Sequence, residues 1–571
     1  MTQLLFLGSG VAQLPQFCLH FAIFFAKSAK KCLHPYHYSK KILIFASHFL
    51  ILFIRIMKFR LLLLTLALLA ISQLSFAQSI PTSDEVGPSV MPDTIAPIEA
   101  PFDMPQLQRP MFPARQLSIK RMGAKSGRFV RQQIQAAIDA LAAEGGGTVI
   151  IPRGDWHTGR IELRSNVCLH LEEGANVYFS GNIEDYLPVV FTRSAGIEAM
   201  SMGAMIYAYR QRNIGITGKG RLIGPGRDCE LWHRNPGYGT FDSFVQYDLP
   251  PEQRIYDGHD STCIYLPTFI GPVNCSNVLI EGVDLSECVF WNIVPTYCDS
   301  VIVRGTSVHS VGLPMGDGMD IESCRNVLLE YNFLETGDDN FTIKSGRGID
   351  GLRVNRPCEN IVIRRNLTAI GHGGVTCGSE TAGMIRDVYV CDNVFEGTNV
   401  GLRFKTRRPR GGGGECLYYE RNRIAAAKEA ITFDMLGSAE YVGGQAQRVP
   451  MEVNRFTPAY RNVRISDCIV ESGSIFLKCT GIPESPARNI VIERIQSRTH
   501  RLLSLHDADV IRLSDLDLTA DDPAIDLLDV RNLRMDRVSF HVPGDKVDWQ
   551  TDGALTENLR LDGQPLSGPS R

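Results

Sequence analysis

The feature that most constrains the fold is a short unit that recurs along most of the chain, in which a polar residue and an apolar residue open an alternating strand. Successive units mostly lie 20 to 34 residues apart. Their first two residues are Asn213-Ile214, Asn277-Val278, Ser300-Val301, Asn326-Val327, Asn360-Ile361, Asp387-Val388, Asn462-Val463, Asn489-Ile490, Asp509-Val510 and Asn532-Leu533. Such a unit cannot bury its apolar face alone, so the units must stack, and Asn or Cys side chains can form ladders at the turns. The pattern predicts an all-β solenoid, a right-handed parallel β-helix. Leucine-rich repeats have similar periods, but their leucine pattern is absent.

Composition agrees with a turn-rich β protein and excludes several partners. The 571 residues include 52 glycines, and the formal net charge of −3 indicates neither nucleic acid nor a membrane surface. The fifteen cysteines are spread singly along the chain, and no CxxC pair occurs. A zinc ribbon, which needs such pairs as ligands, is therefore not expected. Cysteines such as Cys324, Cys391 and Cys468 are expected to be small buried apolar residues. We expect no cofactor and no metal.

The N-terminal segments differ from the rest of the chain. From Met57 the sequence follows a signal-peptide pattern, with a basic start, the apolar run Leu61–Ile71 and small residues at the cleavage point. We predict that residues 57–77 are a signal peptide and that residues 1–56 are an upstream artefact. The alternative is a membrane anchor over Ile42–Ile71, although three basic residues interrupt that run. The prediction is export to the periplasm or the extracellular space, without stable membrane insertion after signal removal.

The remaining chain is predicted to form one catalytic β-helix with short flanking segments. Residues 78–118 are rich in Pro and Ser and are interpreted as a linker, residues 119–562 as the β-helix, and residues 563–571 as a tail. Arg131–Ala143 has helical spacing and is predicted to cap the open end of the solenoid. Its apolar face contains Ile134, Ala137, Ile138 and Leu141.

Residues Arg227–Asp260 break the period and are interpreted as a long excursion from one coil. The segment carries the aromatic residues Trp232, Tyr238, Phe241, Phe244 and Tyr247. Two interpretations stay open: these rings stack on sugars, or they pack the excursion onto the β-helix.

Three carboxylates are the first candidates for chemistry: Asp317, Asp338 and Asp339. Asp317 and Asp339 are 22 residues apart, about one coil, and neighbouring strands of a stack lie roughly 4.8 Å apart. Paired carboxylates at such range are what glycoside hydrolysis needs. Asp and Gly are also common in structural turns, so a turn remains the alternative at this point. Because Asp338 and Asp339 are consecutive, both can face one groove only if the backbone bends there, as Gly337 would allow.

Two further clusters follow at about coil spacing. Gly371-His372-Gly373-Gly374 places a histidine among glycines. Arg403 and Lys405 lie two residues apart, so their side chains are expected on the same face of a strand.

These motifs together resemble the polygalacturonases, glycoside hydrolase family 28, over roughly Ile119 to Asn532. The residues that carry the resemblance are Asp317-Gly318-Met319-Asp320, Gly337-Asp338-Asp339, Gly371-His372-Gly373, Arg403-Phe404-Lys405, Leu171-Glu172-Glu173-Gly174-Ala175 and Gly378-Ser379-Glu380. The resemblance implies a right-handed parallel β-helix and an inverting hydrolase of pectic poly- or oligosaccharides that contain galacturonic acid.

The resemblance also implies a role for each site residue. Asp338 would be the general acid, Asp317 and Asp339 would hold and deprotonate the attacking water, and His372 would order the acid's network. Arg403 and Lys405 would bind a uronate carboxylate, although two cations beside three carboxylates also suit simple charge neutralisation.

The sequence departs from the family at two positions. The family has Asn two residues before its first catalytic Asp, where this chain has Met315. A family Tyr that lines the sugar site would fall near Leu436 or Gly437, and Tyr441 would replace it only after a rearrangement of the loop.

Two other functions remain as alternatives. A pectate-lyase-like β-helix would eliminate instead of hydrolysing and would hold calcium with Asp317, Asp338 and Asp339. A non-catalytic solenoid would bind saccharide and release no reducing ends. The basic run Lys405–Arg410 suits nucleic acid in isolation, but a polyanionic pectic chain explains the same charge, and no nucleic-acid partner is expected.

Overall fold

The structure is a computed structural model that describes residues 79–234, 245–259 and 265–566. The predicted signal peptide, the predicted artefact before it and the membrane-anchor alternative lie outside the described residues. Within the described part of the chain, no helix is both long and apolar enough to cross a membrane.

The described chain forms the predicted right-handed parallel β-helix, with three strand-bearing faces per coil. The first face contains β1 Gln116–Ser118, β2 Gly147–Ile151, β5 Val167–Leu171, β10 Arg212–Gly218, β14 Ser276–Glu281, β16 Asp299–Arg304, β19 Arg325–Glu330, β22 Cys358–Arg364, β25 Ile385–Cys391, β28 Gly413–Glu420 and β31 Ala459–Ser466. The second face contains β3 Gly154–Thr158, β6 Ala175–Phe179, β11 Arg221–Ile223, β15 Asp284–Ser286, β17 Ser307–His309, β20 Phe333–Glu335, β23 Leu367–Thr368, β26 Val394–Glu396, β29 Arg423–Ala425 and β32 Ile469–Ser472.

The third face carries the site described below. It contains β4 Ile161–Glu162, β9 Ala204–Tyr209, β13 Thr268–Val273, β18 Met319–Glu322, β21 Phe341–Lys344, β24 Gly371–Cys377, β27 Thr398–Lys405, β30 Glu429–Asp434 and β33 Ile475–Thr480. The last coils are formed by β34 Ala487–His541, β35 Asp548–Asp552, β36 Arg560–Leu561 and β37 Gln564–Pro565. Because β37 pairs antiparallel with β36, residues 564–565 are part of the sheet and not of the predicted tail.

The repeated Asn-apolar pattern places its apolar residue in equivalent positions of successive coils. Val278 pairs with Val301, and Val301 pairs with Val327 on the next coil, both in parallel register. All three side chains are buried in one continuous core. The Asn that precedes Val278 has a φ of 53°, a left-handed conformation that Asn tolerates better than most residues. The coil that contains β28 was not recognised from the pattern, because Cys416 stands at this left-handed position in place of Asn or Asp.

Ladders of buried side chains form at the turns, as the stacking model predicts. Asn332 donates to Asn366, Asn366 to Asn393, and Asn393 to Asn422, at 3.0, 2.9 and 3.0 Å. All four are fully buried. Cys324, Cys391 and Cys468 are also buried, as expected.

The helices occupy the end of the solenoid and its loops. They are α1 Arg131–Ala143, α2 Glu230–His233, α3 Gly348–Val354 and α4 Ala439–Val442, with 3₁₀ turns at Ser83–Glu85, Pro88–Val90, Ile119–Met122, Ile183–Tyr186, Pro251–Gln253, Gly443–Ala446 and Pro543–Asp545. The helix α1 has the predicted bounds and buries the four predicted apolar residues. It packs against β1, β2, β4 and β5, so it covers the first coils.

Residues 80–115, which we call the N-terminal strap, do not form the predicted linker. The strap lies against the outer side of the first face, where Ile98 and Leu107 are buried with Leu279, Ile302 and Leu328. Arginine side chains of the first face donate to its carbonyl groups, for example Arg304 to the carbonyl of Pro92 and Arg364 to that of Pro97, at 2.8 and 2.9 Å. The proline-rich composition of the strap gave no indication that it packs against another part of the chain. The outward-facing apolar row of the first face is the surface that it covers.

The excursion after β11 adds a small sheet to the β-helix. The antiparallel pair β7 Val190–Ser194 and β8 Ile197–Ser201 precedes it, and β12 Ile255–Tyr256 pairs with β8. Two of the five aromatic residues in the excursion contact arginine side chains. Arg227 lies over the Trp232 ring and Arg254 over the Tyr247 ring, so both rings pack within the protein. Tyr238, Phe241 and Phe244 lie outside the described residues.

Candidate active site

The coil stacking brings Asp317, Asp338 and Asp339 together, and we call these three residues the carboxylate cluster. Asp317 lies just before β18, and Asp338 and Asp339 lie before β21 on the next coil. The Gly318 amide donates to the Asp339 carbonyl at 2.9 Å, which fixes the two segments side by side. One carboxylate oxygen from each member lies within 4.8 Å of the others. The predicted proximity of the three residues is therefore observed.

A backbone bend allows consecutive aspartates to face the same groove. The bend is at Gly337 and Asp338, between the end of β20 and the start of β21, and the Thr336 hydroxyl donates to the Asp338 carbonyl at 2.7 Å. Gly337 is required for space, because a Cβ there would lie 2.0 Å from the Leu313 carbonyl oxygen. The side chain of Asp339 turns inward and is 1% exposed, whereas that of Asp338 is 27% exposed.

Two cations hold the inward carboxylate, and they are the predicted pair Arg403 and Lys405. Both side chains leave the same face of β27, because Leu402 and Phe404 point into the core. Arg403 donates to Asp339 Oδ1 at 3.0 Å and Lys405 to Asp339 Oδ2 at 2.7 Å. Burial by itself would raise the pKa of the Asp339 carboxyl, but the charges of Lys405 and Arg403 outweigh burial and hold that pKa below its usual range.

A second buried ion cluster, which the sequence analysis did not assign to the site, contacts Asp317. Lys344 Nζ lies 3.2 Å from Asp317 Oδ2 and 2.5 Å from Asp320 Oδ1, and it sits 3.4 Å from the centre of the Trp291 ring. Burial and then the charge of Asp320 raise the pKa of Asp317 well above its usual value, with Lys344 opposing them in part. One ammonium group faces two buried carboxylates, so the pair favours retention of a proton.

Removal of Asp320 is therefore expected to shift the pH dependence of any reaction that uses ionised Asp317 as a base. Asp320→Asn keeps the side-chain volume, removes a neighbouring negative charge and leaves Lys344 to Asp317 alone. Both changes lower the pKa of Asp317, so the acidic limb of the kcat/KM profile should move to lower pH. A limb that stays in place or moves to higher pH would contradict this assignment. In the unchanged protein, the apparent pKa of the acidic limb belongs to Asp317 and Asp320 together, because the two carboxylates are coupled.

His372 lies beside the exposed member of the carboxylate cluster. Its Nδ1 is 3.0 Å from Asp338 Oδ1, and its backbone amide donates to the Asp338 carbonyl at 2.7 Å. The hydrogen bond to Asp338 is the main reason that the pKa of His372 is raised, although burial opposes it. The adjacent Gly373 is required for space, because a Cβ there would lie 2.7 Å from Asp339 Oδ1.

The positions that depart from the family pattern lie close to this site. Met315 has a φ of 60°, a conformation that favours Asn or Gly over Met, and its side chain packs on the core. Tyr441, on α4, is half exposed, and the Arg407 guanidinium lies 5.1 Å from the centre of its ring.

Most of the basic residues in the run Lys405–Arg410, which begins at the last residue of β27, are paired within the protein. Lys405 contacts Asp339, Arg408 contacts Glu484 at 2.6 Å, and Arg410 contacts Glu380 at 3.3 Å. Three of the four cations in this run are therefore held by carboxylates of the protein itself.

Comparison with known proteins agrees with the fold and the site. The family model "Glycosyl hydrolases family 28" matches residues 147–466, which include every member of the site described above. The chain belongs to this family of glycoside hydrolases.

Relatives with named activities are similar over most of the β-helix. A probable polygalacturonase of Vitis vinifera is 27% identical over 372 residues, which cover 64% of this chain and 69% of the relative. An exo-poly-α-D-galacturonosidase of Dickeya chrysanthemi is 27% identical, covering 62% of each chain. The crystal structure of a hyperthermoactive exopolygalacturonase from Thermotoga maritima has a TM-score of 0.66 at 29% identity, covering 72% of this chain and 93% of the other. The matches thus span about two thirds of these two curated relatives and nearly all of the solved structure.

Proposed function

We propose that this glycoside hydrolase cleaves galacturonide bonds in pectic poly- or oligosaccharides, with Asp338 as general acid and water as nucleophile. The observation that carries the proposal is the unequal exposure of the carboxylate cluster. Asp338 is 27% exposed, whereas the side chains of Asp317 and Asp339 are 5% and 1% exposed. An exposed carboxyl can meet a glycosidic oxygen, and two buried carboxylates can hold a water molecule beneath the sugar.

The proton balance follows from these positions. Asp338 gives its proton to the departing sugar oxygen, and the water gives a proton to the Asp317 and Asp339 pair as its oxygen attacks the anomeric carbon. His372 contacts Asp338 at 3.0 Å and, when protonated, stabilises the carboxylate that remains. The pair then releases the accepted proton to solvent, and Asp338 takes up a proton from solvent, so that both return to their starting protonation states.

The distance between the carboxylates does not by itself decide the stereochemistry. Nearest oxygens within 4.8 Å are closer than the separation of about 6.5–9.5 Å expected for inverting enzymes, and nearer to the roughly 5–5.5 Å of retaining ones. Accessibility supports inversion, because a retaining mechanism needs a carboxylate that bonds directly to the sugar. The side chains of Asp317 and Asp339 are 5% and 1% exposed and contact Lys344, Arg403 and Lys405, so neither carboxylate is open to direct bonding with a sugar carbon. The proposed water molecule would lie between these carboxylates and the sugar.

Arg403 and Lys405 support a uronic acid as the sugar. Their side chains are 25% and 15% exposed, so each keeps a face toward the groove while contacting Asp339. A substrate carboxylate placed over them would accept charge-assisted hydrogen bonds, which are about twice as strong as neutral ones.

The proposed function is tested by product analysis on defined galacturonides. The purified protein should release new reducing ends, and NMR of the first product should show inverted anomeric configuration. Activity should persist in a chelator, and the products should lack the ultraviolet absorbance of an unsaturated sugar. Retention at the anomeric carbon would exclude the water mechanism, unsaturated products would indicate the lyase, and binding without turnover would indicate a non-catalytic solenoid.

The lyase alternative is weakened by the partners of the carboxylate cluster. Both oxygens of Asp339 accept from cations, and Asp317 contacts Lys344. Three cationic side chains around the cluster oppose the binding of a calcium ion there. Export, predicted from the pattern that begins at Met57, fits an extracellular polysaccharide as substrate and belongs to the same proposal.

A further inference from the structure

The residue Arg407 extends the row of cations on the third face beyond β27. The Thr406 amide donates to the Asp434 carbonyl at 2.8 Å, so the extended ladder continues past Lys405, and the buried Thr406 hydroxyl contacts Thr381. Since successive side chains alternate, Arg407 points to the same side as Arg403 and Lys405. Two residues of extended chain correspond to about 6.6 Å along the strand direction.

Arg407 differs from its neighbours in having no acidic partner among the described residues. Lys405, Arg408 and Arg410 each contact a carboxylate, as given above, whereas the Arg407 Nε atom is buried and makes no hydrogen bond within the described part of the chain. A buried donor without a partner costs free energy, so such an atom points to a missing acceptor.

Arg407 is half-buried as a residue, and its guanidinium contacts the Tyr441 ring. Its Cζ lies 5.1 Å from the centre of the Tyr441 ring, which is itself 51% exposed. Gly437, with a φ of 70°, passes its Cα against the Arg407 side chain, and a Cβ there would meet Arg407 Cβ and Cδ at 3.4 Å. A bulky residue at position 437 would therefore compete with Arg407 for this space. Contact with the aromatic ring orients the planar guanidinium group of Arg407. The parallel N–H donors of a guanidinium match the two oxygens of a carboxylate.

We propose that Arg407, supported by Tyr441, binds a second sugar carboxylate, that of the residue next to the one held by Arg403 and Lys405. The inference rests on the proposed function and adds a preference for two consecutive unesterified uronates. Arg407 is thus a specificity-determining residue that contacts substrate away from the bond that breaks.

The test compares Arg407→Met with the unchanged protein on substrates that carry one or two carboxylates. On free di- and trigalacturonide, KM should rise roughly 10- to 100-fold with kcat within about twofold, because a hydrogen-bonded charge pair is lost. On an aryl α-galacturonide with a single carboxylate, both constants should stay within about twofold. Tyr441→Ala should raise KM for the longer substrates in the same sense, and Tyr441→Phe should not.

Substrate modification provides the matched control. Methyl esterification of the second carboxylate should raise KM for the unchanged protein as much as the substitution does, and should add nothing to Arg407→Met. Equal losses on one- and two-carboxylate substrates would assign Arg407 to loop packing, and no loss on either would also overturn the inference. Failure of the unchanged protein to cleave any galacturonide would instead overturn the proposed function.

Discussion

Asp338→Asn is expected to lower kcat by roughly 10²- to 10⁴-fold while leaving the fold and substrate binding intact, because the amide cannot donate a proton to the glycosidic oxygen. The side chain keeps its size, and its contacts are few: His372 at 3.0 Å is the hydrogen-bond partner of its carboxylate among the described residues. The measurement is kcat and KM on trigalacturonide, with the melting temperature as a check on folding.

Glu335→Gln is the matched control for that substitution. Glu335 is the last residue of β20, three residues before Asp338. Its side chain is 35% exposed, and it contacts His309 and not the carboxylate cluster. It should leave kcat within about twofold. Comparable losses for both variants, or a kcat near that of the unchanged protein for Asp338→Asn, would remove Asp338 from the role of acid.

Lys405→Met is expected to raise KM for a free galacturonide by roughly 10- to 100-fold, since it removes a charge-assisted hydrogen bond to the substrate carboxylate. The structure adds a competing contact, because Lys405 also lies 2.7 Å from Asp339. Arg403 remains 3.0 Å from Asp339 after the substitution, so the buried carboxylate keeps one cation. A substrate with its carboxylate esterified or reduced should therefore show little change in KM.

Lys478→Met separates this effect from the general charge of the groove. Lys478 lies on the same face, two coils beyond Arg403, and pairs with Glu429 at 3.3 Å. It should change KM less than about twofold on either substrate. Equal losses for Lys405→Met on free and esterified substrates would show that Lys405 serves Asp339, and the assignment of Lys405 to the uronate would be dropped.

Local sequence was sufficient for the fold because the repeat is short and its chemistry is local. The Asn at each strand start adopts a left-handed conformation, for example Asn326 at 58° and Asn360 at 56°, and the apolar residue after it enters the core. The same regularity made the spacing of Asp317 and Asp339 interpretable as one coil. Where the regularity fails, as at Cys416, the coil was missed.

Tertiary partners decided what each charged side chain contacts. Lys344 follows Asp317 by 27 residues, and only the stacking of β18 on β21 shows that its ammonium group lies between Asp317 and Asp320. Arg407 is one of four basic residues in the run of six from Lys405 to Arg410. Only the positions of Glu484 and Glu380 distinguish it from Arg408 and Arg410. The N-terminal strap is a similar case, since its own composition does not reveal the apolar row that it covers.

The sequence by itself determined the parallel β-helix, the capping helix and the six residues Asp317, Asp338, Asp339, His372, Arg403 and Lys405 as one neighbourhood. These follow from backbone preferences and a coil period, which are properties of short segments. Only the tertiary structure decided which carboxylates are buried, which cation holds each of them, and that Arg407 has no acidic partner among the described residues. Those properties depend on burial and on contacts between coils, and the free energy of a charge depends on both.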